Sequence, residues 1–438
     1  MSFTRKILSL AIPSLGSLLA EPLMVMADSA MVGSLGTEPL AGLTLGSSVT
    51  MLIVGMCIFL VYTTTAIASR RLGAGDERGA VKVGIDGAWL GLLVGLVLAV
   101  AVFVTASWIM ALFGAEPEVA AQGVAYLRTA AWSLIGMMLV LAGTGALRGQ
   151  LDARSPFVIS LAGAAANVAL NAVFIFGFGL GVSGAGIGTS VASAGMGAAF
   201  AWKIGRAAQR VDASIRPEFG GIWRALGGGV PLMIRTATMQ GIIMATLWVA
   251  ASQGTVAVAG RQIAATTWSF TSNLLDALAI AAQALVGFEL GRGDSSAVRA
   301  LVTRLTKWGA GAGVVIGIVV AVAAPWWPMA FSADSAVVRA AMGALLVSAL
   351  AQPLAGVVYL YDGVLIGAND AWYLAKAGLV NVAVYAPALV AVWAFAPSAG
   401  AGLVWLWACY CFVFFGSRLV TLGWRIRTDK WMAIEGAK

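Results

Sequence analysis

Histidine is absent from all 438 residues, which removes the commonest metal ligand and the usual proton shuttle. Proton chemistry in this chain must run on carboxylates. Cysteine is nearly absent. Cys57, Cys409 and Cys411 all fall in apolar stretches, with no metal-ligand spacing and no disulfide framework. Charge is also scarce: 11% of residues are charged, against roughly 25% in soluble domains, too few to cover a water-facing surface. No phosphate loop, nucleotide motif or nucleophile constellation occurs. The GAGD and GRGD stretches at 73–76 and 291–294 are turn chemistry. We therefore expect no enzyme activity, no resident metal and no cofactor.

What is present is apolar. Sixty per cent of residues are hydrophobic and the mean hydropathy is +0.92. Stretches of ~20 apolar residues, enough for a spanning helix, recur along the chain. Twelve helices are expected near 8–34, 43–69, 84–113, 122–147, 156–180, 184–206, 222–250, 256–289, 305–331, 340–366, 372–396 and 400–424. The first is too long for a signal peptide's apolar region and lacks a cleavage site, so it should remain as a helix. With a cytoplasmic N-terminus, 23 of 27 Lys and Arg fall on the inside, all but Arg128, Arg235, Arg261 and Arg339. This bias predicts two cytoplasmic termini. It also accounts for the net charge of +8 without nucleic acid. The lipid bilayer is the expected surrounding, in the plasma (inner) membrane of a bacterium, with the chain acting as a monomer.

Displacing the sequence by 218 positions brings Pro13 onto Pro231, Leu72, Gly73, Gly75 and Asp76 onto Leu290, Gly291, Gly293 and Asp294, and Trp108 onto Trp326. The same offset brings Gly145, Leu147, Gly149, Asp152 and Ala153 onto Gly363, Leu365, Gly367, Asp370 and Ala371. The fold class is thus an all-α polytopic membrane protein with two pseudo-symmetric six-helix lobes. We expect a lobe at 1–206, a linker at 207–221 and a second lobe at 222–438. An even number of spans per lobe makes the repeats parallel, an arrangement suited to alternating access.

Polar residues within such spans are costly and usually serve a cavity or a partner. Asp28 lies in the first helix. Asn167 and Asn171 share a face of the fifth helix, and Thr189 reaches a similar depth in the sixth. These four form the expected cation-coupling set. Their repeat counterparts include Thr246, Tyr385 and Leu389, so the polar set is not needed to build a lobe. The second lobe carries Arg235, Asp276 and Asp362. Arg235 is expected to pair with one of the two acids. Pro13 and Pro22 permit a bend in the first helix, with Glu21 a further buried acid there. Met24, Tyr62, Met239 and Trp268 are expected, with Glu21, to line a substrate cleft, since methionine surfaces adapt to varied ligands.

The stretches IPSLGSLLAEPLMVMADSAMVGSLGTEPLAGL, GALRGQLDARSP, NVALNAVFIFGFGLGVSGAGIGTS, LLDALAIAAQALVG and YDGVLIGANDAW resemble the multidrug and toxic compound extrusion (MATE) family, its DinF-like branch in particular. The resemblance spans nearly the whole chain and implies two six-helix lobes in a V. It implies exchange of organic, often cationic, compounds for H⁺ or Na⁺. Asp28 falls on the branch's coupling acid and Asn167 and Thr189 on its polar companions, whereas Asn171 stands where members often carry Asp. Asp362 matches a helix 10 acid of the family, and the helix 7 region where another branch carries a Glu for Na⁺ offers Arg235 here. The expected function is antiport of small organic molecules. The alternative is a flippase for lipid-linked precursors, which needs several cations in its cavity. A membrane enzyme or receptor would need a constellation that the chain lacks.

Overall fold

Within a bilayer every backbone N–H and C=O must be satisfied by the chain itself, which only helices or a closed barrel achieve. The computed structural model describes residues 3–397 and 400–432, and no strand occurs among the described residues. The first half contains α1 (Phe3–Gly33), α2 (Thr37–Gly73), α3 (Glu77–Leu112), α4 (Pro117–Ala130 and Ser133–Gly149), α5 (Arg154–Gly177) and α6 (Gly181–Arg210). The second contains α7 (Phe219–Ser252), α8 (Thr255–Gly291), α9 (Ser295–Ala323), α10 (Ser335–Gly367), α11 (Ala371–Phe395) and α12 (Gly400–Arg427).

Ten of these helices are individually long and apolar enough to cross a membrane, and the two pieces of α4 are so when taken together. The remaining helix, α6, has 30 residues, about 45 Å at 1.5 Å per residue, and so is long enough to cross. Its sequence is dominated by Gly, Ala and Ser, which lower its hydropathy but allow close packing against α4 and α5. The chain is a multi-pass, all-α membrane protein.

Two expected helices change form. α4 is bent by 52° between its pieces, at Ala131 and Trp132, where neither Pro nor Gly marks the break. α9 stops at Ala323 rather than near 331, because Pro325 and Pro328 cannot continue its hydrogen-bond ladder; Trp327–Ala330 forms a separate 3₁₀ turn. Pro13 and Pro22 both lie inside the continuous α1.

The helices pack into two compact units. The N-unit is built mainly from Met1–Gly229 and the C-unit from Val230–Leu290 with Asp294–Gly436. α7 begins at Phe219, so its first turns belong to the N-unit. The connection between α6 and α7 is tied to α3. Trp89 Nε1 donates to the Ile215 carbonyl at 3.0 Å, the Glu218 N–H donates to Asp86 at 3.0 Å, and Lys82 pairs with Asp86 at 2.9 Å.

The 218-residue repeat extends to backbone geometry. The Gly79 N–H donates to Asp76 at the start of α3, and the Ala297 N–H donates to Asp294 at the start of α9. Leu151 and its counterpart Asn369 share φ 61° in the tight turns after α4 and α10. At Gly145 an added Cβ would stand 2.6 Å from the Val61 carbonyl oxygen; at Gly363 it would collide with the equivalent carbonyl of Ala279. The contact of α2 with α4 thus recurs as that of α8 with α10, and its glycines permit the backbones to approach.

Candidate functional site

The N-unit brings Asp28, Asn167, Asn171 and Thr189 into one hydrogen-bonded chain. Asn171 Nδ2 donates to Asp28 Oδ1 at 2.6 Å and to Asn167 Oδ1 at 3.2 Å; Asn167 Nδ2 donates to Thr189 Oγ1 at 3.1 Å. All four are buried. Helix geometry explains the convergence. Asp28 lies five residues before the end of α1, Asn171 six before the end of α5, and Thr189 eight after the start of α6. At 1.5 Å per residue these are depths of about 7–12 Å from one end of the bundle. The i, i+4 spacing of the two asparagines places them on one face.

The cluster is rich in acceptors. Among the described residues no Lys or Arg pairs with Asp28, and its one hydrogen-bond donor is Asn171. Asn171 Oδ1 is buried without a hydrogen-bond partner. Gly188 of α6 leaves the space that this oxygen occupies, since a Cβ there would collide with it. Tyr126 of α4, buried and in electrostatic range of Asp28, completes the surround; sequence reading missed it because α4 meets α1 only in three dimensions. A carboxylate beside an uncommitted amide oxygen suits a proton or a small cation.

One turn from Asp28 along α1 lies a cavity of about 140 Å³ lined by Met24, Ser17, Met137, Ser160 and Met196. Met24 therefore lines a cavity. Tyr62 and Met239 are half-buried and line neither this cavity nor the one in the C-unit described below. Trp268 does not line an open cleft: it is 6% exposed and makes edge-on contacts with Trp407, Tyr410 and Phe415. Its bulk is taken up by aromatic packing. The Glu21 side chain lies outside the described residues.

In the C-unit, Asp362 Oδ2 accepts hydrogen bonds from both Arg235 and Arg418. Arg418 had no sequence signal beyond its charge, because it lies at the cytoplasmic end of the expected twelfth helix. It sits in α12 against the rings of Phe415 and Phe414, with centroids at 5.2 and 5.6 Å. Asp276 is half-buried, in electrostatic range of Tyr359. A carboxylate held by two guanidiniums is already saturated with cations.

A duplicated helical membrane bundle with a polar cluster buried in one half is an architecture that suits a transporter. The MatE family model matches the chain twice, over residues 13–173 and 231–392, at the offset of the internal repeat. The chain belongs to the MATE family, whose members are transporters rather than enzymes. Protein DETOXIFICATION 44, chloroplastic, of Arabidopsis thaliana is 27% identical over 448 residues, spanning 99% of this chain and 84% of the relative. The multidrug resistance protein MdtK of Yersinia enterocolitica is 26% identical over 377 residues, spanning 84% and 82%. Among solved structures, the Vibrio cholerae MATE transporter VcmN in the bent form shares the fold, with a TM-score of 0.87 at 23% identity over 98% of each chain.

Proposed function

We propose that this MATE transporter exports small organic compounds, cationic or amphipathic, in exchange for H⁺ bound at Asp28. The observation that supports this most directly is the Asp28 cluster itself: a buried carboxylate without a cationic partner, beside the unpaired Asn171 Oδ1 and one helical turn from a methionine-lined cavity. The ionised Asp28 attracts a cationic substrate toward the cavity. Protonation removes that charge. A turn of the Asn171 amide then presents its oxygen to the new carboxyl O–H. Helix α1, weakened at Pro13 and Pro22, repacks around the neutral acid and the cavity loses its hold on the substrate. Solved relatives described as bent and as straight supply a precedent for two states.

H⁺ is favoured over Na⁺ because the cluster has one carboxylate and otherwise only amide and hydroxyl oxygens. Asn171 stands where a second acid would strengthen a Na⁺ site. The reading places the chain in the DinF-like branch, working as a monomer in a bacterial inner membrane with both termini cytoplasmic. The N-unit cavity lining contains no basic residue, which counts against a flippase for pyrophosphate-linked lipids.

Flux of a fluorescent organic cation in proteoliposomes, under separate pH and Na⁺ gradients, tests the proposal. A pH gradient alone should drive export, and Asp28→Asn should abolish it while the protein still inserts. Wild-type export by Asp28→Asn, or export driven by Na⁺ but not by H⁺, would overturn it.

A further inference from the structure

We propose that the C-unit contains an anion site centred on Arg261, suited to a halide or to the carboxylate of a small organic acid. Arg261 of α8 is 7% exposed, so its guanidinium is withdrawn from solvent. Unlike Arg235 and Arg418, it has no carboxylate partner among the described residues. Its one hydrogen bond runs from Nη2 to the Ile243 carbonyl at 3.2 Å, and Nε is buried with no acceptor. The guanidinium thus keeps a buried Nε–H without an acceptor, next to an Nη2 that has a second N–H beyond the one given to Ile243. A planar edge of this kind is the geometry that carboxylates accept in parallel hydrogen bonds.

The surroundings are hydroxylic rather than acidic. The Tyr385 and Tyr410 phenols lie in electrostatic range of Arg261. Tyr385 OH and Thr246 Oγ1 are 2.8 Å apart, and Thr246 already donates to the Ile242 carbonyl at 2.7 Å. Tyr385 is therefore the donor between them, and its proton can turn to an arriving anion. Tyr385 also lines a cavity of about 540 Å³ between α7 and α11, whose other walls include Ile242, Ala245, Val382 and Leu389. That space suits the apolar body of an organic acid.

The repeat shows that packing does not require this arginine. Leu43 stands at the equivalent position in the N-unit, buried beside Val32 and Tyr126. Thr246 and Tyr385 are the counterparts of Asp28 and Asn167. The same location in the two halves thus carries a lone acid in one and a lone guanidinium with hydroxyls in the other. The inference is independent of the coupling role given to Asp28, and its test requires no transport.

The full-length protein, purified in detergent, is melted in sodium gluconate, chloride, bromide, acetate and benzoate at constant Na⁺ and ionic strength. Gluconate, bulky and hydroxylated, is the reference. The wild-type midpoint should rise saturably by about 2–4 °C in the preferred anion. A response to chloride and bromide identifies a halide site; a response to benzoate above acetate identifies an organic acid that uses the cavity. Arg261→Leu, which installs the residue of the other repeat, should lose the response. Should that variant fail to fold, Arg261→Lys should raise the apparent dissociation constant roughly tenfold, in line with the lost bidentate edge. Equal wild-type midpoints in all five salts would overturn the proposal, as would an unchanged response in the variant that folds.

Discussion

The two units use one backbone plan and opposite electrostatics. In the N-unit, Asp28 stands without a cation among amide and hydroxyl groups. In the C-unit, Thr246 and Tyr385 occupy the equivalent positions, Arg261 lies nearby, and the buried acid Asp362 is occupied by Arg235 and Arg418. The counterparts of those last three residues are Thr144, Ser17 and Phe200, all uncharged. What repeats is what the chain needs in order to fold: the capping aspartates, the tight turns and the glycines at helix contacts. The buried charges do not repeat. Each is costly in a membrane interior, so the halves differ in buried chemistry where they agree in packing.

The strongest way to break the comparison is to give the N-unit the residue of the C-unit. Asp28→Thr should reduce H⁺-driven export by at least about tenfold, the scale of a lost charge-specific interaction. Folding should be retained, because Thr246 already fills this position in the other half. The check is proteoliposome flux alongside the melting midpoint. A variant that folds and still exports at the wild-type rate would show that the asymmetry at this position is unrelated to coupling.

The second largest effect concerns stability. Asp362→Thr removes the carboxylate that two buried guanidiniums share, and removing one side of a buried ion pair costs about 3–5 kcal/mol. The triple change Asp362→Thr, Arg235→Ser and Arg418→Phe installs the N-unit residues together and should recover most of that loss. Thermal melting of the single and triple variants decides the matter. If the triple is no better than the single, the cluster contributes something the N-unit packing cannot replace.

These comparisons also separate what was legible in the sequence from what was not. The 218-residue offset was legible because loop glycines, capping aspartates and helix-contact glycines are tied to one chain position by local geometry. Asp28, Asn167, Asn171 and Thr189 were legible as a set because helix rise and the i, i+4 rule fix depth and face. The bend in α4 was hidden, since Ala131 and Trp132 carry no breaker. Arg418 was hidden because its contact with Asp362 joins α12 to α10, and no spacing rule links them. Periodicity cannot distinguish a cavity-facing aromatic from one packed on other rings, and Trp268 packs against Trp407 and Phe415. The isolation of Arg261 among the described residues is likewise visible only in three dimensions.

A third prediction probes what the units share. Gly145→Ala and Gly363→Ala each push a methyl group into a backbone carbonyl across a helix contact, and carbonyls held in a helix cannot swing aside. Overpacking of this kind costs about 1–3 kcal/mol. The two losses should be similar, because the contact is the same in both halves. Melting midpoints of the two variants provide the measurement, and a large loss in one with none in the other would show that the pseudo-symmetry of this contact is superficial.

The smallest effect is expected where the units share a residue but not its burial. Asp152 and Asp370 stand at equivalent turns after α4 and α10. Asp152 lies 3.2 Å from Lys203, with a side chain 33% exposed; Asp370 accepts from Arg425 Nε at 2.6 Å, with a side chain 7% exposed. Arg425 also stacks over Tyr373, its guanidinium 4.9 Å from the ring centroid. Burial pushes the Asp152 carboxyl up, but the Ser155 hydroxyl and N–H and the Lys203 ammonium outweigh it and hold the group below the usual carboxylate range. A depressed carboxyl adds stability that is present above its unfolded value, about 3.9, and is lost as pH falls through its folded value. Asp152→Asn should therefore shift the midpoint slightly at neutral pH, in keeping with the roughly 0–1 kcal/mol of exposed ion pairs. The variant and wild type should converge only below about pH 3.9. Asp370→Asn should cost more, because it strands a better-buried Arg425. Equal shifts for the two variants would mean that the turn, and not the ion pair, sets the contribution of this aspartate in both halves.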